Sequence, residues 1–177
     1  ELESSREEVK EYKNEIEVKD REIMRLEMSK EFRKLGVIRK GHLDDYSKET
    51  IRAKFTNISM LTATHRFSEP LKVAGSEWSI LIMSCESKSK KYLSAYLELT
   101  QPSESLSYTV YLKVSLFSHN RDKPVHFLRW TMHCFSREQK GWGHAQFISF
   151  EELLKPSNEY IKNDSIMMAI EFIPFSC

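Results

Sequence analysis

Three cysteines and six histidines are the side chains with the widest chemical range in this 177-residue chain. A metal centre would have to draw on His126, His133, Cys134 and His144. His133 and Cys134 are adjacent, so in a strand they point to opposite faces and do not converge on one ion. A Cys–His nucleophile from the same pair fails for the same reason. The sequence holds no Gly-x-x-x-x-Gly-Lys loop, no paired-carboxylate pattern and no Gly-x-Ser-x-Gly elbow. These residues predict a chain that is not an enzyme and carries no metal or cofactor. Cys85, Cys134 and Cys177 are an odd set without paired spacing, so they make no disulfide framework. They predict a reducing, intracellular setting, cytoplasmic rather than nuclear.

The composition narrows the partners. Hydrophobic residues make up 40%, charged residues 30%, and the net charge is +1. That balance excludes a wholly disordered chain. It supplies no strong basic field for a nucleic acid. Arg33, Lys34, Arg39, Lys40 and the group Lys88, Lys90, Lys91 read as short solvated faces. No apolar run approaches the roughly 20 residues of a membrane-spanning helix. Neither nucleic acid nor membrane is therefore expected as a partner. The chain opens at Glu1 without an initiator Met, which reads as a fragment with sequence upstream.

Two stretches of unlike pattern must position whatever chemistry remains. Within residues 1–34, 20 side chains are charged, and Gly and Pro are absent. Leu2, Val9, Ile16 and Ile23 recur every seven residues, position a of a heptad, and Ser5, Tyr12, Lys19 and Leu26 occupy position d. A seven-residue apolar repeat on good helix formers is a coiled-coil seam. The predicted oligomerisation seam is Leu2, Val9, Tyr12, Ile16, Ile23 and Leu26. In a parallel homo-oligomer Glu1–Arg6 and Glu8–Lys13 attract across the seam, whereas Glu15–Asp20 and Glu22–Glu27 repel. Lys19 at d weakens it further, though its stem can lie along the seam. The helix is expected to stop near Leu35-Gly36, with residues 36–47 as a linker.

From about Thr50 the period changes to two. Ile51, Ala53 and Phe55 alternate with polar neighbours, as do Tyr108, Val110, Leu112, Val114 and Leu116. Trp78, Ile80 and Ile82 form a third alternating set, and Ile166, Met168, Ile170 and Phe172 a fourth. Gly75-Ser76, the Ser84–Lys91 stretch, Pro102-Ser103 and His119–Pro124 read as turns between strands. The pattern predicts an antiparallel sandwich or barrel over residues 48–177. Ser149 followed by Glu152 fits a capping box ahead of Leu153 and Leu154, so one short helix is expected before Pro156.

Five segments, in order, resemble the MATH (meprin and TRAF homology) domain. They are Phe55–Ser59 (FTNIS), Val73–Ile82 (VAGSEWSILI), Tyr92–Leu99 (YLSAYLEL), Lys140–Leu154 (KGWGHAQFISFEELL) and Tyr160–Phe172 (YIKNDSIMMAIEF). A coiled coil ahead of such a domain further resembles the C-terminal part of the TRAF adaptors. The resemblance implies a mainly β fold: an eight-stranded antiparallel β-sandwich with an N-terminal coiled-coil helix. It also implies recognition of short extended peptides that pair with an edge strand, where backbone bonds give affinity and side-chain pockets give specificity.

Carried onto this sequence, the resemblance places a groove at Tyr96, Leu112, Lys140, Gly141, Trp142, Gly143 and His144. Tyr96 is the second Tyr of the matched motif, read as a groove wall or as a rim residue. Leu112 falls where relatives place an apolar groove residue, while its alternation with Val110 and Val114 equally places it in the core. Gly141 and Gly143 permit close backbone approach. Trp142 is a platform for a partner or a plug for the end of the sandwich. His144 would make binding pH-sensitive near an imidazole pKa of about 6.5, or stand exposed without a role. Two departures set this chain apart from receptor-binding TRAF domains. Ser94 stands where they carry Arg, and Trp130–Phe135 offers Met132, His133 and Cys134 where they carry serines. Their receptor-tail consensus is therefore not expected to transfer. The function expected is an oligomeric, non-enzymatic adaptor, a homo-dimer or homo-trimer that binds a peptide segment of another protein. The alternatives are the substrate-recruiting end of a ubiquitin-ligase chain, or a coil-driven scaffold whose groove is unused.

Overall fold

The computed structural model describes residues 48–101, 107–119, 124–127 and 131–176, together with Lys19, Glu22 and Leu26. The chain divides into two units, Glu1–Tyr46 and Ser47–Cys177. In the first, Leu2, Val9, Tyr12, Ile16 and Ile23 of the expected seam, and the expected linker, lie outside the described residues. Lys19, Glu22 and Leu26 are helical and exposed.

The second unit is built of antiparallel strands: β1 (Glu49–Thr56), β2 (Arg66–Phe67), β3 (Leu71–Val73), β4 (Ser76–Ser87), β5 (Lys90–Gln101), β6 (Tyr108–Phe117), β7 (Pro124–Phe127), β8 (Thr131–Phe135), β9 (Gly141–Ser149) and β10 (Ser165–Ser176). One sheet runs β1-β10-β6-β7, with β8 also on β6. The other runs β2-β4-β5-β9, with β3 also on β4. The expectation of eight strands is thus corrected to ten among the described residues. Two edges are broken: β2 and β3 follow one another along β4, and β7 and β8 along β6. Short, interrupted edges are a common protection against unwanted strand pairing.

The period-two pattern becomes burial. Ile51 and Phe55, Trp78, Ile80 and Ile82, the Tyr108–Leu116 stripe and the Ile166–Phe172 stripe all point into one core. Each such side chain contributes about 1.5–3 kcal/mol on leaving water. Trp78 sits at the centre, with ring centroids 5.5 Å from Tyr108, 5.1 Å from Phe135 and 5.4 Å from Phe172.

One expected turn is much shorter than its composition suggested. Ser84–Ser87 continue β4 and Lys90-Lys91 open β5. Only Lys88 and Ser89 turn, at φ 48° and 59°. Positive φ at both central residues is the geometry whose twist suits a two-residue hairpin, here adopted without glycine. The short helix α1 (Phe150–Leu153) begins as expected, with the Ser149 hydroxyl accepting from the Glu152 amide at 3.2 Å. The Glu152 carboxylate does not complete a reciprocal box; it accepts from the Asn158 side chain at 3.0 Å. No described helix is long and apolar enough to cross a membrane.

Candidate functional site

β9 is the last strand of its sheet, so one of its sides is bonded to β5 and the other has no strand partner among the described residues. The register brings Gly141 opposite Glu98, Trp142 opposite Leu97, Gly143 opposite Tyr96 and His144 opposite Ala95. Alternation then fixes the faces. Leu97 and Ala95 are wholly buried, so Glu98 and Tyr96 face outward with Gly141 and Gly143 beside them. The same row continues to Leu81 on β4 and to half-exposed Phe67 on β2. Phe67, Leu81, Tyr96 and Gly143 thus cross the outer face of this sheet in one line.

The two glycines answer different constraints. A Cβ at Gly143 would collide with the backbone carbonyl of Ala95, which cannot move aside. A Cβ at Gly141 would collide with Oε2 of Glu98, the end of a flexible side chain. The Glu98 carboxylate therefore already lies over the edge strand.

Beyond His144 the ladder breaks. Ala145, Gln146 and Phe147 of β9 stand opposite Ser94 alone before pairing resumes at Leu93↔Ile148. The bulge turns the Ala145 carbonyl off the ladder, where it accepts from the Ser94 hydroxyl at 2.7 Å and the Cys85 thiol at 2.8 Å. A bulge of this kind bends a strand and ends straight pairing. Here it confines the straight part of the edge to Gly141–His144.

Trp142 and His133 close the gap between the two sheets. Their rings stack, 4.2 Å between centroids and 4° between planes. His133 also meets Phe135 edge-on at 5.1 Å, so an aromatic chain runs from the free edge to Trp78. Trp142 keeps 36% of its surface exposed. It is therefore both a plug and an accessible ring. Cys134, the neighbour of His133, points the other way and meets Thr109 at 3.4 Å.

Leu112 requires a correction. It is wholly buried in the middle of β6, on the sheet opposite β9, and it offers nothing to a bound chain. Periodicity had equally placed it there. The remaining predicted groove residues, Tyr96, Lys140, Gly141, Trp142, Gly143 and His144, are brought together along the β5–β9 edge.

A model of the MATH domain matches residues 50–172. The chain belongs to the MATH domain family. Ubiquitin C-terminal hydrolase 12 of Arabidopsis thaliana is 30% identical over 125 residues, 67% of this chain. Ubiquitin C-terminal hydrolase 13 of the same plant is 28% identical over 124 residues. The chain spans 11% of the length of each of these relatives. A MATH domain is a protein–protein interaction module, and this chain carries one.

The electrostatics of this MATH edge follow from partial burial. Desolvation holds both His133 and His144 below the ordinary imidazole range. Any titration of His144 therefore moves to lower pH than the sequence suggested. Burial raises the Tyr96 hydroxyl, with the Ser94 hydroxyl opposing. Burial also raises Glu98, with His65 and Lys140 opposing from a distance. Neither Phe67 nor Glu98 was among the expected groove residues, and Cys85 was expected only as one of three unpaired cysteines. The signal for Glu98 was present: Tyr92, Ser94, Tyr96 and Glu98 alternate along one outward face of the Tyr92–Leu99 segment.

Proposed function

We propose that the MATH domain of this chain binds an extended segment of a partner protein by adding it as a strand to β9. The observation that carries the reading is an edge strand with no strand partner among the described residues and glycine at both outward positions, Gly141 and Gly143, flanked by Tyr96 and Trp142. Backbone pairing supplies affinity there, and aromatic faces supply contact area at small entropic cost. The heptads of the first 34 residues support self-association into a dimer or trimer, so that several weak sites act together. Linked sites of this kind bind a multivalent partner about 10²–10⁴ times tighter than one alone. The test is a selection of random extended peptides on the whole chain, repeated with Tyr96→Ala and Trp142→Ala. Binding that both variants leave unchanged would remove the site from this edge. Light scattering across a concentration series tests the assembly: a constant multiple of the monomer mass is expected, and a monomer throughout would refute it.

A second reading is favoured by the similarity to the two ubiquitin C-terminal hydrolases. The domain would select proteins for a reaction of the ubiquitin system, carried by other parts of a longer chain. Co-purification of a ubiquitin-processing or ubiquitin-transferring activity with the full-length protein is expected on that reading, and its absence would overturn it.

A further inference from the structure

Glu98 is a feature of the edge that the strand-addition reading leaves unused. Its carboxylate lies over Gly141 at the rim of the sheet, and among the described residues its side chain has no hydrogen-bond or ion-pair partner. His65 and Lys140 oppose the rise in its pKa only through longer-range electrostatics. A half-buried, unpaired carboxylate is costly, because its lost hydration is not replaced. Burial has already raised its pKa, in keeping with that loss.

The register says what would reach it. A strand added to β9 would lie about 4.8 Å away, with every second side chain on the face that carries Tyr96 and Glu98. Between that strand and β5 the outward positions are Gly141 and Gly143, so no side chain stands in the way. A residue of the added strand beside Gly143 reaches over it to the Tyr96 ring. The residue two positions away lies beside Gly141 and meets the Glu98 carboxylate. We propose that Glu98 makes this edge select a Lys or Arg two residues from an apolar or aromatic anchor. The inference rests on the strand-addition reading and adds the chemistry of its partner: a basic segment, apolar-x-basic in either chain direction. Arg suits the place best, since its planar fork matches a carboxylate bidentately and it stacks on a neighbouring aromatic face.

The experiment is selection from a random twelve-residue display library on the complete chain, on Glu98→Gln and on Glu98→Lys. Thermal midpoints confirm that the exposed-face substitutions leave the fold intact. The wild type is expected to enrich Lys or Arg two positions from an apolar residue, and Glu98→Lys to enrich Asp or Glu at the same place. The best wild-type peptide should bind Glu98→Gln about tenfold more weakly, with the difference shrinking as salt rises. Peptides that depend on Tyr96 and Trp142 but show no basic position, or bind Glu98→Lys equally well, would overturn the proposal and leave the edge site standing. If no peptide is retained by any form, the edge site fails and this inference falls with it.

Discussion

His133 lies flat against Trp142, 4.2 Å between ring centroids, and the pair bridges the open side of the sandwich. One ring comes from β8 and the other from β9, strands that belong to different sheets. Nothing else described ties the free edge so directly to the central Trp78, through Phe135. The stack therefore holds the edge strand in place as well as presenting Trp142 to a partner.

Stacked aromatic pairs contribute about 0.5–1.5 kcal/mol beyond their buried area. A double-mutant cycle on His133→Ala and Trp142→Ala, read by urea unfolding, should return a coupling energy of about that size. A coupling near zero would mean that the two rings share space without sharing energy. His133→Phe should retain most of the coupling, since it keeps a flat ring.

Gly141 and Gly143 should respond differently to a methyl group. At Gly143 the new Cβ meets backbone, so the strand must shift; Gly143→Ala should cost about 1–3 kcal/mol. At Gly141 the obstacle is the tip of Glu98, which can swing away. Gly141→Ala should leave the unfolding midpoint nearly unchanged. Equal losses at both positions would contradict the assignment of faces along β9.

The contrast shows what a sequence carries and what it does not. Alternation made the core stripes of β1, β4, β6 and β10 legible, because period two and burial are the same fact seen twice. The capping signal at Ser149 was legible because it is local. The hairpin at Lys88-Ser89 was not: positive φ at Lys and Ser has no composition signature, so polar residues that belong to strands read as loop. The bulge at Ala145–Phe147 was equally silent, since it depends on how two distant segments are registered. Leu112 was assigned to the groove by resemblance, although its own alternation argued equally for the core. His133 was weighed as a metal ligand, as a base and as a replacement for the serines of receptor-binding relatives; that its ring stacks on Trp142 depends on a contact between sheets.

Ser94 anchors the bulge. Its side chain is wholly buried and donates to the Ala145 carbonyl at 2.7 Å. Ser94→Ala should cost about 0.5–1.5 kcal/mol, the net worth of one such bond. The Cys85 thiol remains on the same carbonyl, so removing both donors should cost more than either alone. Amide exchange in Gly141–Ser149 should quicken in the double variant, while exchange in β6 stays slow. Uniform quickening across both sheets would show that the bulge has no local role.

Acid should loosen the same edge through His133. Its Nε2 is buried and has no hydrogen-bond partner. An imidazolium there would place a second N–H donor where no acceptor waits, and desolvation already holds the pKa below the usual 6.5. The sign follows from proton counting. Below about pH 6.5 the unfolded chain takes up a proton that the folded His133 still refuses, so the unfolded state binds more protons and stability falls. The contribution is complete above pH 6.5 and is lost as pH drops through the folded pKa, after which the loss levels off. Of the neighbouring titratable groups, His144 on β9 is shifted in the same direction and adds to the effect, while Cys134 points to the opposite face. Urea midpoints measured from pH 7.5 down to pH 5 should therefore fall for the wild type. The fall should be smaller for His133→Phe, which keeps the ring and removes the titration. An identical decline in the two proteins would place the acid sensitivity elsewhere.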